Sequence, residues 1–178
     1  MKNIECEDRV MVTFDQYRRL LAHFVARDPH FHILEIENTY LDDDKLSLKN
    51  SHRVLRIRKS NNEIELTLKI KGENGDLEIN ETPEKHPEID KMLNNEFDKY
   101  HPIAKLNTSR VEVRIDDYLV VLDMNKYNGI IDYDLEVEAN TLKKAKKVVK
   151  SICHSFGLKY KKDYHSKSSR AINTRNLN

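Results

Sequence analysis

Glycine and proline each occur only four times in this 178-residue chain, cysteine twice and tryptophan not at all. Four glycines leave little room for a glycine-rich phosphate loop, and no Ser-His-Asp arrangement is visible. Cys6 and Cys153 lie too far apart for a disulfide framework and read as reduced core residues of a cytosolic protein. Lysines and arginines number 31 against 30 acids, a formal net charge of +1, so no dominant basic surface points to a stable nucleic-acid partner. There is no apolar run of spanning length and no basic-then-apolar leader, so no membrane partner is expected and the location is expected to be cytoplasmic.

Charged residues nevertheless make up 34% of the chain. Any electrostatic function must therefore come from local arrangement. A mean hydropathy of −0.75 fits a protein whose interior is partly polar. The length suits one well-cored domain, placed at residues 1–171, with 172–178 as a loose tail.

Alternation with period two dominates what is present. Glu5-Cys6-Glu7-Asp8-Arg9, Leu55-Arg56-Ile57-Arg58, Glu65-Leu66-Thr67-Leu68-Lys69 and Asp134-Leu135-Glu136-Val137-Glu138 each put ionisable groups on one face and mostly aliphatic ones on the other. Strands are expected at 3–12, 33–41, 54–59, 63–71, 77–81, 103–115, 118–125, 130–139 and 158–164, mostly joined as hairpins, with Asn74-Gly75 the strongest short turn signal. Residues 42–49 read as a polar loop. A Thr13/Gln16 capping box opens a helix with Phe14, Tyr17, Leu20, Leu21 and Phe24 on one stripe. Glu88–Tyr100 reads as a second helix. The third is capped by Thr141, carries Ala145, Val148, Val149, Ile152, Cys153 and Phe156 inward, and stops at Gly157. The fold class is α+β, antiparallel, with about three flanking helices.

Where the charged faces point decides the function. On an open sheet they would face water. In a closed eight-stranded barrel they would line the lumen, with the aliphatic face covered by helices. Exposed faces usually interleave signs to limit repulsion, whereas here acids and bases are sorted by strand, which favours the lumen. Carboxylates on neighbouring strands (Glu5, Glu7, Asp123, Glu136, Glu138) make a hard oxygen site suited to Mg²⁺ or Mn²⁺. Arg56, Arg58, Lys69, Arg110, Arg114 and Lys167 can pair with phosphate oxygens. Together these are the requirements of phosphoryl transfer.

Glu5-x-Glu7-x-Arg9 resembles the ExExK motif of CYTH domains, also called triphosphate tunnel metalloenzymes. The resemblance runs on through Val54–Lys59, Glu65–Lys69, Leu77–Asn80, Ser109-Arg110, Leu122-Asp123, Asp134–Glu138 and Ser166–Ala171, and is nearest to the bacterial single-domain branch. It implies an eight-stranded antiparallel tunnel and a metal-dependent reaction on a triphosphate: inorganic, thiamine or RNA triphosphatase, or adenylate cyclase. By position, Glu5, Glu7, Asp123, Glu136 and Glu138 would hold Mg²⁺ or Mn²⁺. Arg9, Arg56, Arg58, Lys69, Arg110 and Lys167 would hold phosphate, with Glu78, Glu112 and Arg114 in support. Glu5, Glu7, Arg9 and Lys69 are the candidate catalytic residues.

Two departures stand out. Arg9 replaces the motif's lysine and cannot deprotonate, so a base role there is lost while charge pairing survives. His52-Arg53 stands where a small residue is common. The expectation is hydrolysis of a small triphosphate (tripolyphosphate favoured over thiamine triphosphate and ATP) by a monomer or homodimer. The alternatives are conversion of ATP to cyclic AMP, and non-catalytic binding of polyphosphate or nucleotide. His30-x-His32 reads as incidental, and the lysines at 143–147 as a solvated helix face.

Overall fold

Two-residue turns set the registers of the sheet. Asn61 and Asn62 both adopt positive φ, 49° and 68°, and join β4 (Arg53–Ser60) to β5 (Glu63–Ile70). Asn128 and Gly129 do the same between β8 (Tyr118–Tyr127) and β9 (Ile130–Ala139). Asp116-Asp117 turns β7 (His101–Ile115) into β8, pairing Ile115 with Tyr118. The computed structural model describes residues 2–28, 30–160 and 165–175.

The remaining strands are β1 (Lys2–Glu5), β2 (Glu7–Val12), β3 (His32–Asp42) and β6 (Asp76–Glu81). All nine pair antiparallel in one curled sheet of order β1-β6-β5-β4-β3-β7-β8-β9-β2. Its two edge strands are consecutive in the chain and separated by Cys6 alone. The Ala139 amide donates to the Cys6 carbonyl at 3.0 Å, tying the junction to β9.

The strand set differs from that expected in two places: the N-terminal run divides at Cys6, giving one half to β6 and the other to β9, and residues 158–160 of the expected last strand are not strand. That placement also corrects Cys6, expected in the core. It is only partly buried, and its Sγ lies 3.5 Å from the Asn74 carbonyl oxygen. Gly75 is required at this crossing. A Cβ there would come within 2.8 Å of the Ile4 side chain and 2.9 Å of the Glu5 carbonyl. The Asn-Gly pair thus ends a longer connection, residues 71–75, instead of forming a tight two-residue turn.

Helices cover the apolar faces. The capping box holds α1 (Phe14–Val25), with the Gln16 amide donating to Thr13 Oγ1 and the Thr13 amide to Gln16 Oε1. Tyr17, Leu20 and Phe24 point inward, while Phe14 stays half-exposed against Tyr133. The later helix, Leu142–Phe156, is capped by Thr141 and stopped by Gly157 at φ 66°. It buries Ala145, Val149, Ile152 and Cys153. These two helices pack on Val111, Val113, Val120, Leu122, Leu135 and Val137 to form the main core.

Among the described residues there are five α-helices where about three were expected. The polar stretch after β3 contains α2 (Ser47–Asn50), because the buried Asp42 carboxylate accepts from the Leu48 and Lys49 amides. The expected helix 88–100 shortens to α3 (Pro87–Met92) plus a 3₁₀ turn, Phe97–Lys99, broken by Asn94 and Asn95 at positive φ. The long C-terminal helix is α4. Residues 158–160 are not strand, and 161–164 of the expected final strand lie outside the described residues. Instead α5 (Lys167–Asn173) follows, and Ile172, expected in a loose tail, is buried against Tyr40, Leu106 and Tyr127. No helix among the described residues is long and apolar enough to cross a membrane.

Candidate active site

Because side chains alternate along each strand, the sorted charges converge on the concave side of the sheet. They line a cavity of about 1050 Å³ with Glu5, Glu7, Arg9, Arg56, Arg58, Lys69, Arg110, Glu112, Glu136 and Glu138 on the strands and Lys167 on α5. The inward reading of the charged faces therefore holds. Three expected site residues are not part of this wall: Arg114 is exposed near the β7–β8 turn, while Asp123 and Glu78 are buried.

Register explains which charges meet. Arg9 faces Glu136 across β2/β9, and Arg110 faces Asp123 across β7/β8. Arg110 donates to both Asp123 oxygens, each at 2.9 Å, and to Glu136 Oε2 at 3.1 Å. Lys167 also contacts Asp123 and lies 2.7 Å from Glu136 Oε1, which Arg9 Nη1 reaches at 3.0 Å. Asp123 and Glu136 are thus sealed beneath bases, 0% and 1% exposed. Burial alone would push the Glu136 carboxyl up, but Lys167, Arg9 and Arg110 hold it well below the carboxylate range. Burial likewise opposes the Arg110 charge, and Asp123 and Glu136 overcome it, raising its pKa.

A second acidic group behaves differently. Glu7 sits directly opposite Glu138 in the β2/β9 register, a like-charge pair that is unfavourable without a cation between. Glu5, Glu7 and Glu138 each offer an oxygen, and the three atoms lie within 4.8 Å of one another. Lys69 provides the counter-charge to two of them, contacting Glu5 and, at 3.0 Å, Glu7. Burial would raise Glu5, yet Lys69 brings it down to about 2. Glu138 is not relieved in this way. Burial, with Arg110 only at 3.7 Å, raises it to about 7. An all-oxygen, all-carboxylate donor set of this size fits a hard divalent cation such as Mg²⁺ or Mn²⁺.

The basic wall beside it is under-neutralised. Arg56 meets Glu78 at 3.3 Å, but its Nε is buried with no hydrogen-bond partner among the described residues. Arg58 donates only a long bond, 3.5 Å, to Asn38 Oδ1. No carboxylate among the described residues lies within ion-pair distance of it. Burial, then repulsion from Arg56 and Arg110, lowers Arg58 to about 10. Such a cation is placed for an anionic ligand.

Two groups of neighbours were given no site role by the sequence reading, although it named Asp134 in the charged run. Asp132 and Asp134 continue the alternation of Glu136 and Glu138, a signal that could have found them. Arg170 of α5 pairs with both, at 2.8 and 2.6 Å, while Asn125 donates to the same carboxylates. This network anchors the helix that carries Lys167. Lys146, in the stretch read as a solvated lysine face, and Lys150 one turn on are exposed and also reach the cavity rim beside Asp8 and Tyr160. The Tyr160 hydroxyl donates to Asp8 at 3.0 Å, which explains a carboxylate on the otherwise apolar side of β2.

The concave side of this curled antiparallel sheet thus sets an oxygen-rich acidic cluster beside Arg58, which has no carboxylate partner among the described residues, and Arg56, which has one at 3.3 Å. The CYTH domain model matches residues 3–168, and the chain belongs to the CYTH domain family. A Bacillus subtilis (strain 168) protein named "Putative triphosphatase YjbK" is 27% identical over 171 residues, covering 88% of both chains. The crystal structure of a Bacillus halodurans "putative adenylate cyclase" superposes with a TM-score of 0.83 at 25% identity, covering 95% of this chain and 97% of that one. A Hippeastrum "putative adenylyl cyclase", described as revealing a dominant triphosphatase activity, gives 0.75 at 18% identity over 98% of this chain and 96% of that one.

Proposed function

We propose that this protein hydrolyses a small triphosphate with the aid of Mg²⁺ or Mn²⁺, inorganic tripolyphosphate being the favoured substrate, inside a sheet closed as a tunnel at Cys6. The observation that carries this reading is the Arg56–Arg58 pair, left without adequate counter-charge, beside the Glu5–Glu7–Glu138 carboxylates. Membership of the CYTH family and the names of its relatives favour the same reading.

Arg56 and Arg58 would hold phosphoryl oxygens, Arg in bidentate fashion. Arg110 and Lys167, already committed to Asp123 and Glu136, would present remaining donors to the same chain and stiffen the floor of the site. Glu5, Glu7 and Glu138 would hold the divalent ion, which supplies charge neutralisation and a more acidic bound water. Lysines and arginines outnumber carboxylates along the cavity wall, eleven to seven, which suits a polyanion, while the divalent ion would offset the acids gathered at Glu5, Glu7 and Glu138. Oriented phosphate and a fixed attack direction are what these side chains contribute.

Phosphate release from tripolyphosphate, thiamine triphosphate and ATP, measured with Mg²⁺ or Mn²⁺, tests the proposal. No release from any of them by folded protein would refute it, and cyclic AMP from ATP would replace hydrolysis by cyclisation. Arg9 favours one other reading. It contacts Glu7 and Glu136 together and can lend no base, which suits a chain that binds polyphosphate or nucleotide without turning it over. Calorimetric binding without product would select it.

A further inference from the structure

Lys69 occupies the place where a divalent cation would be needed. Its ammonium contacts Glu5, lies 3.0 Å from Glu7 Oε1 and reaches Asp76 at 3.5 Å. Glu5 and Glu7 are two of the three carboxylates whose oxygens converge within 4.8 Å. An ammonium on those oxygens repels any second cation, and it uses the electron pairs that cation would take.

The two bases at this acidic corner are not equally mobile. Arg9 spans Glu7 and Glu136, so its guanidinium is pinned between two strands. All three carboxylate partners of Lys69 belong to one patch, and its side chain is 17% exposed. A lysine ammonium is a compact charge on a flexible stem, with donors that can be redirected. It also has somewhere to go. Lys69 faces Val54 across β5/β4, and Arg56 stands opposite Thr67, so Arg56 is the diagonal neighbour of Lys69. Such neighbours have Cβ atoms about 7–8 Å apart, within one long side chain's reach. Phosphate held by Arg56 and Arg58 would lie in that direction.

We propose that Lys69 is a displaceable internal cation, which keeps the acidic cluster neutral in the empty chain and yields Glu5 and Glu7 to a divalent ion only as phosphate arrives to receive its ammonium. This inference rests on the metal-dependent reading of the cluster and goes beyond it. Metal and triphosphate then bind with positive coupling through one side chain, because either one alone leaves a charge uncompensated. The device would keep metal from settling permanently in a site without substrate.

Mn²⁺ titration of metal-free protein in phosphate-free buffer, read by calorimetry and by the electron paramagnetic resonance of free Mn²⁺, tests the exchange without relying on activity. Lys69→Met removes the competitor and is expected to bind Mn²⁺ at least about tenfold more tightly than the unaltered chain, given the cost of two cations at contact distance. Lys69→Arg keeps the charge and is expected to bind no more tightly than the unaltered chain. A non-hydrolysable imidotriphosphate should tighten Mn²⁺ binding to the unaltered chain far more than to Lys69→Met. Unchanged or weaker Mn²⁺ binding by Lys69→Met, with binding abolished in Glu5→Gln, would overturn the exchange and leave the metal site standing. Absence of Mn²⁺ binding in every variant, with and without imidotriphosphate, would overturn both. Should Lys69→Met fail to fold, tighter Mn²⁺ binding by Lys69→Arg overturns the exchange by itself.

Discussion

Arg58 and Arg110 are both lumen arginines, yet their environments separate stability from function. Arg110 holds two almost fully buried carboxylates. Arg110→Ala leaves Asp123 and Glu136 short of a partner, and removing one side of a buried ion pair typically costs about 3–5 kcal/mol. A fall of that size in denaturant-derived stability is expected, and a change below about 1 kcal/mol would contradict the sealed floor. Arg58 has no carboxylate to abandon and suffers repulsion from Arg56 and Arg110. Arg58→Ala is therefore expected to leave stability unchanged or raised. It should weaken tripolyphosphate binding by about tenfold or more, the worth of a hydrogen bond to a charged group. Equal affinity in calorimetry would remove Arg58 from the phosphate site. Of the residues in this contrast, the sequence displayed the alternation that puts both arginines inside. It could not display the register that gives one of them Asp123 and the other Asn38, because partners on separate strands depend on turns and bulges far from either residue.

At the scale of elements, α1 and α4 were readable because cap, stripe and stop agree within one local segment. The short helices were not. α2 exists through the buried Asp42 carboxylate, and α5 through contacts with β8 and β9, both tertiary causes. The dependence of α5 on the strands has a consequence. Ser166 caps it and Lys167 begins it, so the helix aims Lys167 at Asp123 while Arg170, three residues on, is fixed by Asp132 and Asp134. Arg170→Met strips two carboxylates of their base and is expected to destabilise the chain by about 3 kcal/mol or more. Triphosphate affinity should fall with it even at temperatures where the protein stays folded, since Lys167 loses its support. A variant with normal affinity and a normal denaturation midpoint would show that α5 is held by Tyr40, Leu106 and Tyr127 alone.

The whole molecule joins these levels at its two seams, Cys6 between the two edge strands and the α5 contact where helix, strand and buried charges converge. The N-terminal run was legible as strand, and its division at Cys6 was not, because the split follows from meeting two different partners. Tyr127 belongs to the second seam, donating its hydroxyl to Asp132 and packing against Ala171 and Ile172. Burial, the bond to Asp132 and that carboxylate's charge push the phenol from an ordinary 10 to about 12. The folded pKa is raised, so the folded state keeps its proton while the unfolded chain gives it up. The resulting stability is complete below pH 10 and is lost as pH rises through about 12. Denaturant unfolding from pH 8 to 12 is therefore expected to show declining stability across the top two units. Tyr127→Phe should start lower at pH 8, by about 1 kcal/mol for the lost hydrogen bond. It should then decline less steeply, so that the two curves converge towards pH 12. Parallel curves would mean that Tyr127 ionises as freely in the folded chain as in the unfolded one, and that its bond to Asp132 does not hold the seam.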